Sequence, residues 1–536
     1  MKSRNESVKR MALWALACVT NIVCAIAANA SEPPGGDSHA AAPVVHFNIG
    51  LKECAACHSA PNPIHTFLGV TQFVRLVEAS EWLGRDKHAY AFELVRQDLT
   101  PAELEQPGRK SNRLSIDIGV KLDWKVGDGN FENKCLTCHV GRDAGRPSEK
   151  MDVRFGVQCE SCHGPGSEYT QLEHHQQVSW RAKTPEEKAV LGLRDLSSPS
   201  SAAAVCLSCH LGSIHEQRFV THAMYAAGHP VLPPFDLQTF LNAMPPHWKT
   251  LQEKSEPIKA ITPGGPAFEL QAEYIGAHFD IQGSIDEIQL AIQGSYDKTR
   301  RSMLGGLAAN DLGIELIHQA ATEPAVWGDY SIYNCMGCHQ ELKKNIRSLS
   351  SESRIPGRPF PADWLTLEYP AIHVSNRERN ELHTREFYSS FNAIPFGDAK
   401  RLNQIGHNHR VSLSERLLDR RKMERQFMSK EQVHDWLQFL WKSRRDRLSD
   451  YWVAKQTAWM VLIAVDELVE HSALQSYAIA PLRDELRAVL RLELRRPQRQ
   501  SVIDDQKEVL ETARSFDPVR VAELLGMMVA AATSSP

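Results

Sequence analysis

The chain has 536 residues, a formal net charge of −4 and a sequence pI near 6.6. That length allows two or more domains or one large irregular one, and the near-neutral balance excludes a global basic field for gripping nucleic acid. Hydrophobic residues make up 42%, slightly below the usual globular share, a shortfall that would matter less if large apolar groups filled part of the interior.

Residues 1–30 read as a signal peptide. Lys2, Arg4, Lys9 and Arg10 form a basic head, Met11 to Ala27 is apolar, and Ala28-Asn29-Ala30 supplies a small-residue site for cleavage after Ala30. An uncleaved anchor is the alternative, weakened by Thr20 and Asn21 within the apolar run. No later stretch is long enough to span a bilayer: the best, Ala458 to Val465, falls far short of about 20 residues. The mature protein is expected to be periplasmic, with no membrane span after cleavage.

Residues 31–50 form a Pro/Gly/Ala-rich linker. Over 51–250, helical pieces alternate with Gly/Pro-rich connections. Gly69 to Asp98 is helix-compatible, and Thr100-Pro101-Ala102-Glu103 and Thr184-Pro185-Glu186-Glu187 are capping boxes. A Pro/Gly-rich break at 251–270 opens a region running to 410, where Ser284 to Glu287 caps a stretch towards His318. From 411 to 536 the pattern is wholly helical, with Ser429 to Gln432 capping a run rich in Trp and Leu. No strand ladder is evident. The clusters Arg420-Arg421-Lys422 and Arg444-Arg445-Asp446-Arg447 are a solvated helix face or a docking patch for an acidic redox partner.

The cysteines carry the chemistry. There are 12; Cys18 and Cys24 leave with the signal peptide, and the other ten all fall in five Cys-x-x-Cys-His motifs. These are Cys54, Cys57 and His58; Cys135, Cys138 and His139; Cys159, Cys162 and His163; Cys206, Cys209 and His210; and Cys335, Cys338 and His339. None is left for a disulfide, although an exported chain could form one. Two thiols at i and i+3 on one helical turn reach the two vinyl groups of a haem, and the next histidine lies under its iron as the proximal ligand. Zinc would require neither a histidine after every second cysteine nor an odd number of pairs. Five covalently bound c-type haems are therefore expected.

The phrase Gly156-Val-Gln-Cys-Glu-Ser-Cys-His-Gly-Pro-Gly-Ser-Glu-Tyr169 lies between Cys-Leu-Thr-Cys-His-Val-Gly and Cys-Leu-Ser-Cys-His-Leu-Gly, and so resembles the cytochrome c-554 family. Two further segments are similar to that family and its longer relatives: Trp82, Asp86, His88 and Ala89, and the run from Thr221 through His222 and His229 to Phe240. The resemblance covers about residues 50–250; the fifth motif and the helical tail look like those of a pentahaem branch. It implies a mainly α fold, a multihaem cytochrome c core with little regular sheet and closely packed haems, followed by a C-terminal helical domain. On that basis 51–250 is a tetrahaem core, 251–410 a fifth-haem region and 411–536 the helical domain.

The same resemblance implies distal ligands: His88 for the third haem, His174 or His175 for the first, and His229 for the fourth. His222 and His229 are seven apart, on one side if one helix carries both, with Pro230 ending it. His222 could complete the second or fifth haem; His65, His278, His318, His383, His407 and His409 are reserves. In the tetrahaem family the second haem is typically five-coordinate, so the haem of Cys135, Cys138 and His139 is open here unless His222 closes it.

The resulting expectation is an electron carrier, relaying single electrons between periplasmic or membrane-associated redox proteins. The alternatives are a reductase or oxidase acting on a small nitrogen or sulfur species at a five-coordinate haem, and a structural subunit that wires another enzyme. The 20 residues between the second and third motifs are expected to keep those two haems neighbours. The sequence nominates no catalytic side chains.

Overall fold

The computed structural model describes residues 46–61, 74–95, 117–124, 132–141, 150–175, 179–180, 183–255, 290–332, 386–387, 389–391, 393, 397–494 and 511–534. The signal segment, most of the linker, the capping boxes at Thr100 and Ser284, the fifth motif and His65, His278 and His383 lie outside them. Among the described residues every regular element is helical, and the one extended pairing is an isolated antiparallel bridge between Ser213 and Arg218. The fold is mainly α, as expected.

The first half consists of short helices, four of them ending on a motif histidine: Leu51–His58, Thr137–His139 after a π turn at Glu132–Leu136, Cys159–His163, and Pro199–His210. Backbone geometry stops them. Gly164 sits at φ +88, and a Cβ there would come within 2.2 Å of the Gly192 carbonyl oxygen, so no other residue can end the third motif helix this way. Within Gly69–Asp98, the helix Glu78–Arg85 gives way to 3₁₀ turns at His88–Tyr90 and Phe92–Leu94, with Trp82 and Ala89 buried. The Thr184 capping box forms, its hydroxyl accepting from the Glu187 N–H at 3.2 Å while the Glu187 carboxylate accepts from the Thr184 N–H at 2.7 Å.

The second half is built on long helices. Tyr451–Glu470 is buried almost all round, which its sequence permits because apolar residues cover every face over its first four turns. Lys430–Arg444, Ser476–Leu490 and Pro518–Thr533 pack around it in one apolar core. The helix Asp297–Thr322 joins the two halves. Its Met303, Leu304 and Leu307 enter the C-terminal core, while Ala308 and Ala309 pack on Ala202, Ala203 and Leu207 of the fourth motif helix. Close approach is possible because residue 305 is glycine, where a Cβ would lie 2.6 Å from that of Leu237. Asp236 is fully buried at the same junction: it caps Leu237–Ala243 through the Thr239 N–H and accepts from Ser302 Oγ at 2.6 Å.

The helix Ala399–Glu424 runs unbroken through residue 411, the expected start of the C-terminal domain. Of the two basic clusters, Arg420 and Arg444 are buried, Arg420 pairing with Asp311, so only part of each cluster faces solvent. No helix among the described residues is long and apolar enough to cross a membrane.

Candidate haem-binding centre

The third motif is the hub of the first half. Gly156 brings the chain against the backbone of His88, whose carbonyl accepts from the Val157 N–H at 2.9 Å, and Trp82 Nε1 donates to the Val157 carbonyl at 3.1 Å. Gln158 accepts from the Leu51 N–H at 3.2 Å and donates to the Asp152 carbonyl at 2.9 Å. Glu160, buried between the two cysteines, accepts from the N–H groups of Ile49, Gly50 and Gly166 at 2.8, 2.7 and 2.7 Å. The Gly-Pro-Gly turn thus returns one N–H to the motif carboxylate, and the other two fasten the start of the first motif helix onto the third.

This packing brings the cysteines of different motifs together. The thiols of Cys54 and Cys159 are within hydrogen-bonding reach, as are those of Cys138 and Cys209. Cys162 is close enough to feel Cys209 electrostatically, and Cys206 close enough to feel Cys162. Gly141, at the end of the second motif, packs on Ser161 of the third. The eight described motif cysteines form no disulfide.

A cavity of about 2080 Å³ with largely apolar walls runs past all four described motifs, lined by seven of their cysteines and by His58, His139, His163 and His210. It is larger than the roughly 300–1,000 Å³ of a single small-molecule pocket. Cys135 faces an adjoining recess of about 50 Å³ that also touches Cys138 and His139. No group of three or more His, Cys, Asp or Glu side chains among the described residues converges on a single ion position, as a structural zinc site would require. Paired thiols and single histidines around one apolar space fit c-type haem: each motif would hold its group by two thioethers and one imidazole.

Two of the other histidines at this cavity each face a motif histidine. His88 lies 6.2 Å, centroid to centroid, from His210, and His247 lies 6.5 Å from His163, both pairs nearly edge to face. A metal held about 2 Å from one nitrogen of each of two rings sets the ring centres roughly 6 Å apart. Several rings have their other nitrogen engaged. Nδ1 of His58 meets Glu78 at 3.0 Å, that of His88 meets Asp86 at 2.9 Å, and that of His139 meets the Ala91 carbonyl at 2.9 Å. His229 Nδ1 meets the Pro230 carbonyl at 2.8 Å. A histidine whose Nδ1–H bonds to a carbonyl or carboxylate has its lone pair on Nε2, the arrangement metal-bound histidines use. Burial, reinforced by the neighbouring ring, draws His163 and His210 down to about 4, so both are neutral at physiological pH.

His88 therefore faces the histidine of the fourth motif; the third is faced by His247, which sequence reasoning missed. Nothing in the spacing of His247 ties it to a motif 84 residues earlier, and its one local signal is the rigid Pro245-Pro246 before it. Of the doublet, His175 lines the cavity and His174 does not. The His175 ring lies 6.3 Å from Tyr169, whose phenol is held above its usual range by burial and by the nearby Cys54, Glu160 and Cys159. His222 and His229 do not share a helix. His222–Ala227 ends at Gly228, φ +124, and His229 follows on the turn. The His222 ring packs 5.5 Å from Tyr330, and the backbone N–H of His222 donates to Asp329 at 2.9 Å. Among the reserves, His318 is buried against Gly406, His409 pairs with Asp311 at 3.1 Å and His407 is exposed; none of the three lines the cavity.

Four Cys-x-x-Cys-His motifs around one apolar cavity on a mainly α scaffold fit a multihaem c-type cytochrome. Residues 53–164 match the family described as cytochrome c554 and c-prime. The chain is also similar to the multiheme cytochrome MtrA of Shewanella baltica (strain OS185), 25% identical over 140 residues that cover 22% of this chain and 39% of that protein. The likeness thus spans about two fifths of that relative's length. No solved structure matches the chain.

Proposed function

We propose that this protein is an exported pentahaem c-type cytochrome that relays single electrons between periplasmic or membrane-associated redox partners. When bound, each haem supplies a one-electron iron couple; the chain's part is to hold the irons close, fix their axial ligands and set their surroundings. The observation that carries this reading is the pairing of rings across one shared cavity. His210 with His88 and His163 with His247 would close the fourth and third irons. His58 with His175 would close the first, given that both line the cavity and that Tyr169, against the His175 ring, is near Cys54.

The contacts between motifs support a continuous path: first to third through Cys54 and Cys159, third to fourth through Cys162 and Cys206, fourth to second through Cys209 and Cys138. The fifth haem, on Cys335, Cys338 and His339, belongs to the same proposal, with His222 as its distal candidate because the turn at Tyr330–Ile332, just before that motif, packs on His222. In this reading residues 1–30 are removed on export, 51–250 form the tetrahaem core, 251–410 carry the fifth haem and 411–536 are helical support. The exposed parts of the two basic clusters would meet an acidic partner.

The test is a haem count by pyridine haemochrome, with a potentiometric titration and an electron paramagnetic resonance spectrum of the oxidised protein. Five haems per chain, titrating in successive one-electron steps with low-spin signals, are expected. A high-spin signal near one haem equivalent that changes with nitrite or nitric oxide would make one iron a catalytic site and defeat the carrier reading.

A further inference from the structure

We infer that His229 is the distal ligand of the haem held by Cys135, Cys138 and His139, and that it makes this second iron six-coordinate. Two rings and two thiols meet there. His139 and His229 both line the main cavity, and with Cys135 and Cys138 they also share the adjoining recess. His139 is close enough to act electrostatically on His229. Each ring has its Nδ1 on a backbone carbonyl, Ala91 for His139 and Pro230 for His229, which sets the tautomer with the lone pair on Nε2 in both.

The backbone explains why His229, and not His222, faces this motif. The helix His222–Ala227 stops where Gly228 turns to φ +124, and the N–H groups of Gly228 and His229 both return to the Met224 carbonyl, at 3.1 and 2.9 Å. The helix end is tied down by Lys121, whose Nζ donates to the Ala227 carbonyl at 2.9 Å. Pro230 has no N–H and a fixed φ, so the chain leaves the turn in one direction, with the His229 ring 5.8 Å from that of Tyr225 and nearly edge to face. At the opposite end the His222 ring packs against Tyr330, while the backbone N–H of His222 donates to Asp329. The recess around His139 and His229 is otherwise walled by side chains such as Val95, Ile118 and Met224, and Lys134 is its single charged member among the described residues.

This assignment deepens the carrier reading and rests on the second motif bearing a haem, so the haem count is measured alongside it. In purified holoprotein, His229→Ala is expected to keep the wild-type haem count and to add about one haem equivalent of high-spin ferric signal, which exogenous imidazole returns to low spin. His229→Met, which can still ligate, is expected to shift one haem's near-infrared charge-transfer band from the bis-histidine to the histidine–methionine position, and it serves if the alanine variant fails to fold. The assignment is overturned if both His229 variants keep wild-type spin state and band positions. A haem count of zero would instead overturn the cytochrome reading itself.

Discussion

Glu160 stands between the two cysteines of the third motif, and the groups it binds belong mostly to another part of the chain. A buried carboxylate that accepts three backbone N–H groups is difficult to replace, because its removal strands all three donors, those of Gly50 and Gly166 in fully buried bonds. Glu160→Ala is expected to lower the unfolding free energy of the holoprotein by about 3 kcal/mol, and Glu160→Gln by less, since one acceptor remains. Equal unfolding midpoints in denaturant for wild type and alanine variant would show that the latch between the first and third motifs is not stabilising. Arg218 acts through charge. It is buried, donates to Ser208 Oγ at 2.9 Å and to Glu216 at 3.0 Å, and is near enough to Cys138, Cys162 and Cys209 to influence all three. A fixed positive charge favours the more negative, reduced state of a nearby iron, so Arg218→Met is expected to lower potentials in the second-to-fourth group by tens of millivolts. Spectroelectrochemical titration would register this, and an unchanged titration curve would remove Arg218 from the tuning groups.

At the scale of elements, the helix Asp297–Thr322 is the member on which both halves depend, and its N-terminus is held from outside. Glu467, on the central C-terminal helix, accepts from the N–H groups of Lys298 and Thr299, both at 2.8 Å, and from Thr299 Oγ1 at 2.7 Å. A carboxylate there also meets the positive end of the helix dipole. Glu467→Gln keeps one acceptor and removes the charge, so a loss of about 1–2 kcal/mol is expected, measured as a lowered unfolding midpoint. Asp297 pairs with Arg300 and Arg301 at the same end. Burial works to raise its carboxyl, and the two guanidinium groups outweigh burial and draw it down to about 2. A depressed folded pKa contributes stability that is fully present above the ordinary carboxylate range and is lost as pH falls towards 2. The wild type is therefore expected to lose more stability than Asp297→Asn between about pH 5 and 2; parallel stability–pH curves would refute this.

The described residues form a run of motif helices around one cavity, braced by a helical bundle largely through the helix Asp297–Thr322. Much of this was legible in advance, for physical reasons. Covalent haem attachment is local chemistry, so Cys-x-x-Cys-His states it in five residues, and the Thr184 and Ser429 caps are local hydrogen bonding, so their spacing states them too. Helical content followed because no segment alternates with the period of a strand. The pairing of histidines was not legible. A ligand needs only to be near the iron in space, and His247 and His229 reach the cavity through a double-proline segment and a glycine turn that leave no periodic trace. Resemblance nominated His88 for the third haem, whereas its ring faces His210 of the fourth motif, and which motif it faces depends on how the third motif packs against its backbone. The extent of the helical part was also undecidable from composition, because Ala399–Glu424 crosses residue 411 without a break and Asp297–Thr322 contributes to the C-terminal core. By itself the sequence determined that this chain carries the attachment chemistry for several haems on a mainly α scaffold, because those features are written within one helical turn. Only the tertiary structure decided which motifs touch and which histidines face one another across the cavity, because those are contacts between segments tens of residues apart, made by burial and backbone turns rather than by spacing.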